Sequence, residues 1–312
     1  MSLKFINQAL IVGLFSAAIR MATPLALAAL GEIFSENSGI INLGVEGIML
    51  MGALLGFLGT YFTGSLLVGV LLSILIGIIM ALIHGLITIR FMANQVVSGM
   101  ALWLLGWGLS GFLYRMIFGV RTLPPTVKGF DTISIPLLSE MPFLGAILFN
   151  HNVLVYLMFI LVFLSSIVLY RTDFGLRIRA VGENPKAADT LGVDVYRIRY
   201  MCLMIEGGLA GLAGAYLSLA QLSMFIEGMT LGKGFIAIAI VYFGKWNPYR
   251  TFSGALLFGF VDALQKRLQT MGFGIPYQFL LMLPYIITIL TLLGVARKAE
   301  APASLGVPYR RE

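Results

Sequence analysis

RTDFGLRIRAVGENPKAADTLGVDVYRIRY, residues 171–200, is a polar, basic island in a chain otherwise made of long apolar runs. It carries Arg171, Arg177, Arg179, Lys186, Arg197 and Arg199. Asn184-Pro185 reads as a helix start, with Asn at the N-cap and Pro at the first helical position. Gly192 reads as its stop. The six residues Lys186 to Leu191 then make about two turns, with Ala187, Ala188 and Leu191 on one face and Lys186 and Asp189 toward its edges. A small, smooth apolar face with charged rims suits docking into a groove on another protein.

The surroundings of this island fix the solvent. Of 312 residues, 59% are hydrophobic and only 11% charged, and mean hydropathy is +0.95, where soluble domains carry about 25% charged residues. Most of the chain must therefore sit in hydrocarbon. Its apolar runs are continuous rather than alternating, which favours helices over a barrel. At roughly 20 residues per crossing, the length allows about eight to ten spans. Nine are expected, near 6–30, 40–62, 65–89, 98–119, 152–170, 200–222, 233–244, 251–269 and 275–294. The seventh is short enough to be a broken or tilted helix. The chain is thus an all-α polytopic membrane protein, with a membrane domain over 1–294 and a tail over 295–312.

Net charge is +7. In a membrane chain this reads as Lys and Arg held on the cytoplasmic side, not as a nucleic-acid surface. Loop 171–200, the turn between Lys245 and Arg250, and a tail with Arg297, Lys298, Arg310 and Arg311 are expected to be cytoplasmic. Counting back places the N-terminus outside, against the weak vote of Lys4, unless a re-entrant element near 31–45 adds a turn. The segment at about 120–150, with Pro124, Pro125, Pro136 and Pro142, is then an external cap. Met1 to Lys4 and Ala26-Leu27-Ala28 imitate a signal peptide, but Arg20 and Pro24 argue that the stretch is retained.

Several chemistries are excluded. One cysteine, Cys202, permits neither an intrachain disulfide nor a cysteine metal site. His84 and His151 stand far apart, and His84 reads as a packed helix residue. Gly228 to Lys233 has the wrong spacing for a P-loop, so no ATP site is expected on this chain and no catalytic residue is assigned.

What remains is polar residues inside lipid, which favour a partner, a cavity or a pathway. The richest run is GEIFSENSGIINLGVEG, residues 31–47. Asn37, Ser38, Asn42 and Glu46, joined by Asn94, Gln95 and Phe225, are the expected pathway residues. A buried hinge is the other reading of the run. Glu32, Glu36 and Glu46 are expected partners of Arg20. Trp103, Trp107 and Tyr216 offer ring faces that either stack on a solute or merely pack. Gly44-Val45-Glu46-Gly47 is echoed by Glu227-Gly228 with Gly232 and Gly234, a weak sign of inverted repeats.

The runs ENSGIINLGVEGIMLMGA (36–53), ANQVVSG (93–99), FGLRIRAVGENPKAADTLGV (174–193) and KGFIAIAIVYFGKWNP (233–248) together resemble bacterial ABC importer permeases. That family carries simple sugars, branched-chain amino acids and nucleosides, and the wording is closest to the shorter permease of the nucleoside branch. The resemblance implies a type II-like fold and a multi-pass protein of the bacterial cell membrane. It implies a coupling helix formed by Glu183, Asn184, Pro185, Lys186, Ala187, Ala188, Asp189, Leu191 and Gly192. It also implies a second homologous permease as heterodimer partner, a cytoplasmic ATPase that holds the ATP and Mg, and an external substrate-binding lipoprotein. Ribose-type permeases carry an extra N-terminal helix that this chain lacks, which agrees with an external N-terminus. A simple-sugar permease and an ion-coupled secondary transporter using Glu46 or Asp262 are the alternatives.

Overall fold

The computed structural model describes residues 3–121, 123–136, 138–271, 276–295 and 300–311; of residues 3–9, 271, 277 and 291–295 it describes the backbone alone. The side chain of Lys4 and the basic pair Arg297 and Lys298 thus lie outside the described residues. The chain is overwhelmingly helical. Helix α1 (Leu3–Asn37) is followed by α2 (Val45–Thr63), α3 (Leu66–Gly85) and α4 (Gln95–Phe118). Strand β1 (Thr132–Ser134), helix α5 (Leu144–Leu148) and strand β2 (Asn150–Asn152) form a small cap before α6 (Val153–Arg171). Then come α7 (Asp173–Glu183), α8 (Pro185–Thr190), α9 (Val195–Ala215), α10 (Lys233–Gly244), α11 (Pro248–Met271), α12 (Tyr277–Leu281) and α13 (Leu283–Val295). A π turn prolongs α3 through Leu86–Arg90 and α9 through Tyr216–Gln221.

Among the described residues, six helices are long and apolar enough to cross a bilayer: Leu10–Asn37, Val45–Thr63, Leu66–Arg90, Gln95–Phe118, Val153–Arg171 and Val195–Gln221. The stretches 233–244 and 278–290 are apolar but shorter. Helix α11 has the length for a crossing, but its second half carries Asp262, Lys266 and Arg267. The first expected span is corrected. It does not stop near residue 30 before a loop or re-entrant element but runs on to Asn37, with Pro24 inside it. Glu32, Ser35 and Glu36 are therefore helical residues. This also separates Arg20 from the acids: twelve residues of helix put it about 18 Å below Glu32. Arg20 instead donates to Ser16 Oγ, one turn away, at 3.0 Å.

Small residues set the core. Helices α1, α2, α3 and α9 pack closely on one another, and α11 lies along α1. Where α3 crosses α9, a methyl on Gly77 would overlap the Gly207 carbonyl and a methyl on Gly211 the Ser73 carbonyl. In lipid, where apolar tails give no hydrophobic drive between helices, such close backbone approach is the main source of association. The cap is tied down by polar pairs: β1 and β2 are antiparallel with Ile133 opposite His151, and Tyr156 donates to the Ile133 carbonyl at 2.9 Å.

Candidate solute cleft and docking helix

The turn between α1 and α2 is a clasp. Asn42 donates to Glu206 Oε1 on α9 at 2.6 Å and accepts from the Gly44 amide at 2.9 Å. Gln95 accepts from the Ile41 amide at 2.8 Å. His84 bridges the Ile41 carbonyl and Ser98 Oγ, each at 3.0 Å. Arg199, almost wholly buried, donates to the Ser38 carbonyl at 3.1 Å. On the α1 side, Trp246 donates its indole N–H to Glu36 Oε2 at 2.5 Å, and Ser35 lies 3.3 Å from Glu32 Oε2. Glu32 Oε1, Glu36 Oε1 and Glu206 Oε2 find no donor among the described residues.

This geometry moves most expected pathway residues off any open path. Ser38, Asn42 and Gln95 are buried inside the single chain, their polar atoms spent on backbone and on Glu206. Asn37 donates back to the Ile33 carbonyl at 2.7 Å. Asn94 caps α4 by accepting from the Val97 amide at 3.1 Å. Phe225 is fully buried, its ring 5.1 Å from that of Tyr114, and Tyr216 is buried too. The run 31–47 is thus packed between helices within the chain, and Glu46 at its end faces α10.

Glu46 stands in the first turn of α2 and faces the start of α10. One carboxylate oxygen accepts from Thr230 Oγ1 at 2.5 Å and the Gly232 amide at 2.7 Å; the other accepts from the Gly234 amide at 2.6 Å. Two helix N-termini therefore converge on one carboxylate, where their dipoles and unpaired amides favour negative charge. The two glycine-punctuated runs of the echo meet here. Gly232 takes φ +77°, and a methyl on Gly234 would stand 2.6 Å from Glu46 Cα, so a side chain there would push the carboxylate off its donors.

Beside this junction is a cavity of about 190 Å³, lined by Glu46, Leu50, Trp103, Trp107, Gly228, Thr230, Leu231, Gly232 and Phe235. Trp103 and Phe235 meet edge to face at 5.4 Å. Trp107 and Gly228 are shared with a wider hollow of about 750 Å³ on the open side of α4. Arg115 and Glu227 form a two-pronged pair across that hollow, at 2.8 and 2.6 Å. Trp107 is 58% exposed on this flank, and Leu104, Phe112 and Met116 share its exposure, so nothing among the described residues covers the flank. Of the rings considered from the sequence, Trp103 and Trp107 line the cleft; Phe235, Thr230 and Arg115 were outside the expected site, because only the fold of the 222–232 segment brings Thr230 and α10 to Glu46 and Glu227 to Arg115.

On the basic face, α8 is built as its sequence demands. Asn184 accepts from the Ala187 amide at 3.0 Å, Pro185 opens the helix, and Gly192 takes φ +83° beyond it. Its expected single face is corrected. Ala187 and Leu191 point outward, Leu191 at 85% exposure, but Ala188 is 3% exposed and packs into the protein. The inner side is set by α7 and α9, against which α8 rests. Glu183, Asn184 and Lys186 lie on the exposed side, while Asp189 is held by Tyr309 at 2.9 Å and Arg311 at 3.1 Å.

A bundle of membrane-length helices with a polar-aromatic cleft on an exposed flank and a short capped helix on a basic loop has the form of a transport permease subunit. Residues 14–292 match the family described as "branched-chain amino acid transport system / permease component", and the chain belongs to that family. Glucose ABC transporter permease protein TsgC13 of Haloferax volcanii, a provisional assignment in its own name, is 39% identical over 96% of this chain and 98% of its own. Guanosine ABC transporter permease protein NupQ of Bacillus subtilis is 40% identical over 94% and 95%. Nucleoside ABC transporter permease protein NupC of Lactococcus lactis is 36% identical over 92% and 93%. Among solved structures, an inward-facing transporter provisionally classed as a metal-chelate type ABC transporter aligns with TM-score 0.51 and 19% identity, covering 95% of this chain and 88% of that one. That likeness is one of fold alone.

Proposed function

We propose that this chain is a permease subunit of an ATP-driven nucleoside importer and forms half of its translocation path. The observation that carries the reading is the cleft of Trp103, Trp107 and Phe235 beside Glu46, on an exposed flank of α4 that also carries the Arg115–Glu227 ion pair. Flat indole faces suit a nucleobase, and polar groups at the rim suit a ribose. The end-to-end similarity to NupQ and NupC agrees with this. TsgC13 favours glucose as the second reading. The test is uptake by the assembled transporter in liposomes: guanosine, and not glucose, is expected to drive ATP-dependent accumulation, and glucose-selective uptake would reverse the assignment.

In this reading the open flank faces a second, homologous permease, and the path runs between the two. Helix α8 docks by Ala187 and Leu191 into a cytoplasmic ATPase, which carries ATP and Mg; this chain is not catalytic. A substrate-binding lipoprotein delivers solute from outside. Three further crossings join the six long ones: the 222–232 segment with α10, α11, and α12 with α13. Nine crossings put the N-terminus outside and the tail in the cytoplasm, in a type II-like plan with inverted halves meeting at Glu46. Support comes from α1, whose last residues lie against α7 and the tail while Arg267 of α11 donates to the Leu10 carbonyl near its start.

A further inference from the structure

The chain's last described segment, 300–311, touches three separate pieces of the cytoplasmic face. At its start, Ser304 donates its amide to the Gly182 carbonyl at the end of α7 at 2.8 Å, and its hydroxyl lies 2.6 Å from the same oxygen. In its middle, Gly306 donates to the Gly39 carbonyl at 3.1 Å, and the Val307 carbonyl accepts from Arg199 at 3.4 Å. Arg199 itself donates to the Ser38 carbonyl. Near its end, the Tyr309 hydroxyl donates to Asp189 Oδ2 at 2.9 Å, Arg311 Nε stands 3.1 Å from the same oxygen, and the Tyr309 ring packs on Tyr196. The fit at Gly39 is close: it takes φ +90°, and a methyl there would stand 2.7 Å from Ser304 Oγ.

The segment therefore joins α8 to the α1–α2 clasp. From Gly306 to Tyr309 the chain has three steps, which reach at most about 11 Å when extended. So short a link has little slack, and a displacement of Asp189 is passed on rather than absorbed. We infer that segment 300–311 is a tie between the docking helix and the clasp, with Tyr309 and Arg311 as positioning residues that deliver ATPase-driven movement of α8 to the α1–α2 turn. The inference rests on the reading of α8 as the ATPase contact.

The test uses the complete transporter in liposomes, with Tyr309→Phe combined with Arg311→Ala, and Arg311→Lys alone. Three quantities are read: ATPase retained on purification, basal hydrolysis, and solute moved per ATP. In the double variant, retained ATPase and basal hydrolysis are expected to stay near wild type. Solute per ATP is expected to fall roughly tenfold, the size of one charge-assisted hydrogen bond's contribution to coupling. Arg311→Lys, which keeps the ion pair, is expected to hold most of the ratio. An unchanged ratio overturns the tie, and so does loss of the ATPase itself, which makes the segment part of the docking surface. Ala187→Arg is run alongside. If it sheds the ATPase while the tie variants transport normally, the tie alone is wrong. If it sheds nothing, the docking reading is wrong.

Discussion

A single carboxylate, Glu46, joins α2 to α10 through one hydroxyl and two amides. Hydrogen bonds to a charged group contribute about 1.5–3 kcal/mol each, and stranded buried donors cost more than the bond was worth. Glu46→Ala should therefore lower the thermal midpoint of the purified protein by several degrees. Glu46→Gln should also lower it, since its NH2 group faces donors. Midpoints equal to wild type in both variants would mean that the junction is not a structural tie. Trp107 makes a different kind of contribution. If its exposed indole stacks on a base, Trp107→Ala removes about 0.5–1.5 kcal/mol, a roughly two- to tenfold weaker apparent affinity for nucleoside in uptake assays, with little change in stability. An affinity unaffected by that change would take Trp107 off the path.

Among elements, α8 offers the sharpest contrast. Its outward Ala187 and inward Ala188 are adjacent, yet arginine at each should fail differently. Ala187→Arg should leave a folded permease that no longer retains its ATPase. Ala188→Arg should disrupt the corner of α7, α8 and α9 and lower the yield of folded protein, because no space exists beside a side chain only 3% exposed. Equal behaviour of the two would contradict this division of faces. The position and caps of α8 were legible in the sequence because capping is local: Asn184, Pro185 and Gly192 act on their own neighbours. Which face turns inward was not legible, because it is decided by packing on α7 and α9. The polar run 31–47 shows the same limit at longer range. Its composition announced that it avoids lipid, but Asn42 meets Glu206 across 164 positions and Glu36 meets Trp246 across 210. No local pattern separates such a clasp from a pore lining. Helix α1 ran past its expected end for a related reason: Glu36 looks like a loop residue until its distant partner Trp246 is known.

At the scale of the molecule, the apolar composition made the helical bundle readable throughout, because roughly 20-residue runs have few other uses. The proposed orientation rests on where the basic residues gather. A cysteine placed at Asp131, in the cap, should react with a membrane-impermeant maleimide in intact cells, one placed at Arg177 should react only after permeabilisation, and the buried native Cys202 should stay silent in both. Labelling at the opposite sides would invert the topology. The open flank of α4 has a consequence. Arg115 and Glu227 are 62% and 34% exposed there, and ion pairs facing acyl chains are expensive. In the proposed pairing of two permeases, a subunit without its partner would leave that ion pair uncovered together with Trp107 and Phe112.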